Sequence, residues 1–288
     1  MSVEMKDKIQ ALRQKHIVMN RPYLALIVMP LWACLIKNLV GMPDIAISVE
    51  WPVYKVGVFA ILGAFMCLKL HRKWFSSDYK GNLLGRNTLY GLLLLLPSMI
   101  FVVLNLLGIK NMKETSFITI LMSVIAGATP GVFEEVAFRG LAGSNFMRFF
   151  HDGKKIRIAA ILTGVIFGGV HIVNLIKGAA LSSTFTQVLY AIGLGILFAA
   201  VFFRTGTLWP TIIVHSLIDI SHYVVHSSGV LSSETPTAQI IMLSAFAVVY
   251  AGWGLYLLRD SKVPEINAIW KDIWGSDYVE EGKPAPAE

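Results

Sequence analysis

Charge is what this sequence has least of. Of 288 residues, 15% are Asp, Glu, Lys or Arg and 55% are hydrophobic. A soluble domain carries about 25% charged and about 45–50% apolar residues. The mean hydropathy of +0.64 points the same way. So thin a charged set excludes a disordered chain, a coiled coil and a basic-faced nucleic-acid binder, and it argues against an ordinary water-soluble enzyme. Cysteine is nearly absent as well. Cys34 and Cys67 both sit in apolar runs, which excludes a disulfide framework and leaves two small buried hydrophobes. No short apolar region followed by a small-residue cleavage site opens the chain, so no removable signal peptide is expected. What remains is a chain that uses lipid as its solvent. Its net charge of +7 then marks cytosolic loops rather than a nucleic-acid partner.

A helix needs about 20 mostly apolar residues to cross the hydrocarbon core, and about eight runs approach that length. They lie near 23–40, 53–70, 88–109, 116–143, 156–176, 185–203, 207–226 and 238–258. Alternate connections between them are rich in cations: Lys69, Arg72, Lys73, Lys80 and Arg86 in one, Arg148, Lys154, Lys155 and Arg157 in another. The opposite side has Lys110, Lys113 and Lys177 alone. This asymmetry predicts an even number of spans with both termini in the cytosol. The expected fold is therefore all-α: a polytopic membrane protein whose domain covers 23–258, with a motif core at 116–226. Residues 1–22 and 259–288 flank it. Met5, Ile9, Leu12 and His16 recur at helical spacing, as do Ile266, Ile269, Trp270, Ile273 and Trp274. Both sets predict helices on the cytosolic membrane surface, or a docking face for a partner. The last residues, EEGKPAPAE, predict a polar tail.

Ionisable residues inside spans are costly, so each is a functional hypothesis. Three clusters stand out. Glu134, Glu135 and Arg139 fall in the fourth run, just after Pro130 and Gly131. Glu135 and Arg139 are one helical turn apart and can neutralise each other, while Glu134 points about 100° away and has no sequence-local partner. A carboxylate in that position suits a general base. His171 ends the stretch Phe167-Gly168-Gly169-Val170-His171 in the fifth run, with Asn174 one turn on; the glycine pair fits either close helix packing or a substrate cleft. His215, Asp219 and His222 share one stripe of the seventh run, a set that suits water activation, a proton relay, a metal site or a polar seam between helices.

Together the three clusters resemble the CAAX protease and bacteriocin-processing (CPBP, or Abi) family of intramembrane proteases, related to the prenyl-protein endopeptidases. The matching motifs are EEVAFR (134–139), FGGVH (167–171) and HSLID (215–219). The resemblance implies that Glu134 activates a hydrolytic water with help from His171, that Glu135 and Arg139 hold each other or also the substrate carboxylate, and that His215 and position 219 stabilise the oxyanion or complete a metal site. An ionised Asp219 can only accept hydrogen bonds; it more naturally orients His215 or His222, or ligates a metal. Phe167, Asn174 and His222 are supporting residues. Glu134, His171, His215 and Asp219 could together ligate Zn2+, and the same set can work without metal.

Other intramembrane hydrolases fit less well. The chain has no His-Glu-x-x-His, no Gly-x-Ser-Gly and no Gly-Asp pair of the presenilin kind. The expected activity is an endopeptidase acting on a membrane-embedded peptide or protein in a multi-pass, bacterial plasma-membrane setting. There a small peptide precursor is a better substrate than a prenylated protein. A proton-coupled transporter and a non-catalytic immunity or scaffold protein are the competing readings. Against the first stands the lack of matching halves, because the polar clusters all follow residue 133. The oligomeric state is not written in the sequence.

Overall fold

The computed structural model describes residues 21–40, 85–108, 117–176, 178–226, 234–275 and 278; for 32–40, 118, 119, 122 and 226 it describes the backbone alone. The expected span at 53–70, the amphipathic segment before residue 21 and the polar tail from 279 lie outside the described residues. Among the described residues all regular structure is helical and no strand is formed.

The first described helix, α1, is Pro22–Val40. Helix α2 (Arg86–Leu95) passes through a 3-10 turn at Leu96–Met99 into α3 (Ile100–Leu107). Pro97 has no N–H to continue the α-ladder, so the turn falls there. Helix α4 (Phe117–Glu135) widens into a π-helical turn, Val136–Gly143, and continues as α5 (Ser144–Phe149). Helix α6 (Gly153–Gly169) starts at Asp152, whose carboxylate accepts from the Lys155 N–H. A 3-10 turn at Val170–Ile172 leads to the short α7, Val173–Ile176. Then come α8 (Leu181–Thr205), α9 (Trp209–His226), α10 (Thr237–Leu257) and α11 (Val263–Trp274).

Seven of the expected runs therefore fall on helices. Among the described residues four helical stretches are long and apolar enough to cross a membrane: Arg86–Leu107, Gly153–Ile176, Leu181–Thr205 and Thr237–Leu257. The count of about eight, and the side on which the termini lie, remain expectations of the sequence.

Helix α8 is the hub. It packs against α6 and α10 along its length and meets α2 near its C-terminal end, and every residue from Gly193 to Thr205 is buried. Helix α4 pairs with α9, and α1 crosses the π turn. Small residues allow these close pairings, because lipid offers little hydrophobic drive between helices and backbone approach must supply the contact. A side-chain carbon at Gly127 or Gly131 would run into the α9 backbone at Ile220 or Ser216. Gly164 and Gly168 stand likewise against α8 at Ile196 and Ile192, whereas a carbon at Gly169 would meet nothing within 4 Å. The Gly168-Gly169 pair is thus divided: one glycine packs and the next opens space.

Helix α11 carries the apolar set expected on the membrane surface or at a docking face. Its Ile266, Trp270, Ile273 and Trp274 are buried against the bundle. Trp270 Nε1 donates to Phe203 O at 2.8 Å, Trp274 Nε1 to Ser144 O at 3.1 Å, and Asn267 Nδ2 to His151 O at 2.8 Å. A buried indole needs a partner for its N–H, and this end of the bundle supplies a backbone carbonyl to each. Buried Arg204 closes the same end, donating to Leu257 O at 3.1 Å and to the Tyr90 hydroxyl at 2.7 Å, with Glu265 3.3 Å away.

Candidate active site

The site is built where α4 meets α9. Glu134 and Glu135 are the last residues of α4, directly before the π turn. Helical periodicity sends them to different surroundings: Glu135 is fully buried, while the Glu134 side chain keeps 28% of its surface exposed. Arg139 is also fully buried. Its Nη1 lies 3.0 Å from Glu135 Oε1 and its Nη2 donates to Gly195 O at 3.2 Å. The guanidinium stands 4.3 Å from the centre of the Phe167 ring and 5.7 Å from that of Phe198. A buried cation needs a counter-charge and partners for its fork, and here it has a carboxylate, a carbonyl and two ring faces. The Glu135–Arg139 pairing expected from their spacing is present.

His215 joins the two helices. Its Nδ1 is 2.9 Å from Glu135 Oε1. A carboxylate only accepts, so Nδ1 carries the proton, assigned from the network. Nε2 then faces the more open side, 3.9 Å from Glu134 Oε2 and 3.6 Å from Asp219 Oδ2. The stripe expected on this helix thus brings His215 and Asp219 together. His222 extends the stripe, with its ring edge-on to Tyr223 at 6.1 Å.

His171 sits in the 3-10 turn after α6. Its Nδ1 is 3.0 Å from Phe167 O, which fixes Nδ1–H as the donor. The Phe167 ring lies edge-on to both histidines, at 5.3 Å from His171 and 5.8 Å from His215. It therefore stands beside both imidazoles as well as beneath Arg139. The ion-pair partner found for Glu134 is His215, not His171. Asn174 donates to Gln187 Oε1 at 2.8 Å, tying α7 to α8.

Some residues around the site were not singled out in the sequence. Asn105 donates from α3 to Ile218 O at 3.1 Å and Ser221 Oγ at 2.9 Å, holding α9 beside Asp219. Gln187 and Asn105 were detectable as lone amides in apolar runs. Phe198, 5.7 Å from the His215 ring, carried no sequence signal, since one apolar residue in a span looks like the next.

Residues 114–221 match the family model described as type II CAAX prenyl endopeptidase Rce1-like. The matched stretch holds most of the motif region and is similar to the CAAX protease (CPBP-type) family. The match opens just before α4 and closes just past Asp219, so it takes in all three CPBP motifs. It implies a protease and supports CAAX-type intramembrane endopeptidase activity in general terms. The helices before residue 114 and α10 and α11 lie outside it. No curated protein and no solved structure matches the chain.

Proposed function

We propose that this chain is an intramembrane endopeptidase in which Glu134 is the general base. The observation that carries the reading is the facing of Glu134 towards His215 Nε2, inside the matched region, with His215 held from behind by Glu135. Glu134 takes a proton from water as the water oxygen attacks the scissile carbonyl. The resulting oxyanion receives a hydrogen bond from His215 Nε2–H in its imidazolium form. Glu134 then returns the proton to the leaving amine, the C–N bond breaks, and the carboxylate is regenerated. His171, across Phe167, assists on the substrate side. Asp219 orients the Nε2 edge of His215.

Zinc is the other expectation. His215, Glu134 and Asp219 are zinc-ligand types, and a carboxylate on the far nitrogen of a ligating imidazole is a common companion. Yet among the described residues no three such side chains converge closely enough to hold an ion. Metal analysis of the purified protein, beside turnover with and without chelator, decides between the two chemistries.

The substrate class proposed is a membrane-associated peptide or protein, cut at a site open to water within the bilayer. The proposed location is a bacterial plasma membrane. Two probes test the reading: a farnesylated peptide ending in a CAAX sequence, suggested by the family name, and an unprenylated membrane-anchored peptide, suggested by the setting. Wild-type protein in proteoliposomes should cleave one of them. Glu134→Ala and Glu134→Gln should lower turnover by about 10²–10⁴ while inserting normally. Undiminished cleavage by both variants sinks the mechanism.

A further inference from the structure

Helix α11, the last described, reaches the motif helix through a chain of hydrogen bonds. Trp274, at the end of α11, donates its indole N–H to Ser144 O at 3.1 Å, and both residues are buried. Ser144 is the first residue after the π turn, and it fastens that turn twice. Its N–H donates to Arg139 O, and its hydroxyl donates to Gly140 O at 2.6 Å. Arg139 in turn holds Glu135, and Glu135 holds His215. The rest of α11 is fixed to other parts of the bundle: Trp270 to the α8 carbonyl of Phe203, Glu265 beside Arg204. Trp274 is therefore the end of a strut whose base rests on α8.

A π turn holds one more residue than an α turn, and its hydrogen bonds are poorer. If it relaxed to α geometry, the surplus residue would be lost from the turn. Every side chain on the N-terminal side would then rotate by about 100° relative to the rest. Glu134 and Glu135 stand directly before this turn, so its persistence decides which carboxylate faces His215 Nε2 and which is buried.

We propose that Trp274 is a positioning residue: α11, braced on α8, locks the π turn at Ser144 and thereby sets the direction of Glu134 and Glu135. The proposal rests on the hydrolytic reading of this site. Neither Trp274 nor Ser144 belongs to the three motifs, and α11 lies outside the matched region.

Trp274→Phe keeps most of the ring and removes the N–H. Backbone amide exchange over residues 136–148 is read first, in the full chain in proteoliposomes without substrate. It should speed up about fivefold, the worth of one neutral hydrogen bond, with little change elsewhere. Turnover per folded molecule of whichever probe the wild type cleaves should fall by a similar factor, with KM unchanged. Ser144→Ala, which removes the bond to Gly140, should act in the same direction, and the double variant should lose less than the product of the singles. Unchanged exchange over 136–148 in Trp274→Phe overturns the proposal. So does faster exchange with unchanged kcat per folded molecule, because the contact would then be structural only. If the wild type cleaves neither probe, the hydrolytic reading fails; the exchange experiment still decides whether the brace exists.

Discussion

Glu135 and His215, 80 positions apart in the chain, meet side chain to side chain at 2.9 Å. One carboxylate thus serves two partners, since Arg139 lies 3.0 Å from the same oxygen. The arrangement turns the His215 Nε2 edge towards Glu134 and Asp219 and couples the motif on α4 to the motif on α9.

This coupling predicts an asymmetric response to substitution. Arg139→Met leaves Glu135 buried with only His215 to balance it, and Glu135→Leu leaves the guanidinium uncompensated. Each single change should cost about 3–5 kcal/mol. The double variant Glu135→Leu/Arg139→Met should recover much of that loss, because it removes both buried charges, yet it should stay inactive because His215 has lost its orienting partner. Thermal unfolding beside turnover reads both. Stability of the double variant below that of either single would contradict this account.

Asp219 stands 3.6 Å from His215 Nε2. Asn has the same shape and can donate as well as accept, so Asp219→Asn should retain turnover within about tenfold of wild type. Asp219→Ala removes the partner and should fall by about 10²–10³, the range for losing one group that supports an oxyanion. Equal losses in the two variants would show that the ionised carboxylate itself is required.

The glycines make opposite predictions. Gly131→Ala drives a carbon into the α9 backbone at Ser216, next to His215, so it should push α4 away from α9, lower the melting temperature and reduce turnover together. Gly169→Ala meets open space and should leave stability unchanged, or raise it by about 0.5–1 kcal/mol through the helix preference of Ala. A melting temperature that falls more in Gly169→Ala than in Gly131→Ala would refute the close-packing reading.

At the start of α6, outside the bilayer-spanning stretch, the Lys155 N–H donates to Asp152 and holds its carboxyl below the usual carboxylate value. The folded-state value is the lower one. Its contribution is therefore present above the unfolded value of about 3.9 and is lost as pH falls through the folded value. Asp152→Ala should cost about 0.5–1 kcal/mol near neutral pH and less in strong acid, where the neutral carboxyl is a weaker acceptor. Unfolding midpoints measured at both ends of that range supply the check.

Much of this protein was legible in the sequence by itself. Scarcity of charge placed the chain in lipid, and the same scarcity made Glu134, Glu135, Arg139, His171, His215 and Asp219 visible. The i,i+4 spacings of Glu135 with Arg139 and of His215 with Asp219 gave two contacts that recur in the structure, because a helix fixes such neighbours locally. The widening of α4 at Val136–Gly143 had no such signature. Nor did the choice of His215 rather than His171 as the ion-pair partner of Glu134, or the burial of the apolar face of α11 against protein instead of lipid. Those were decided by tertiary structure, for one physical reason: apolar residues in a membrane chain read alike whether they face lipid or another helix. Close approach of backbones, allowed at Gly127, Gly131, Gly164 and Gly168, and interhelical hydrogen bonds such as those of Trp270 and Trp274 determine which faces meet.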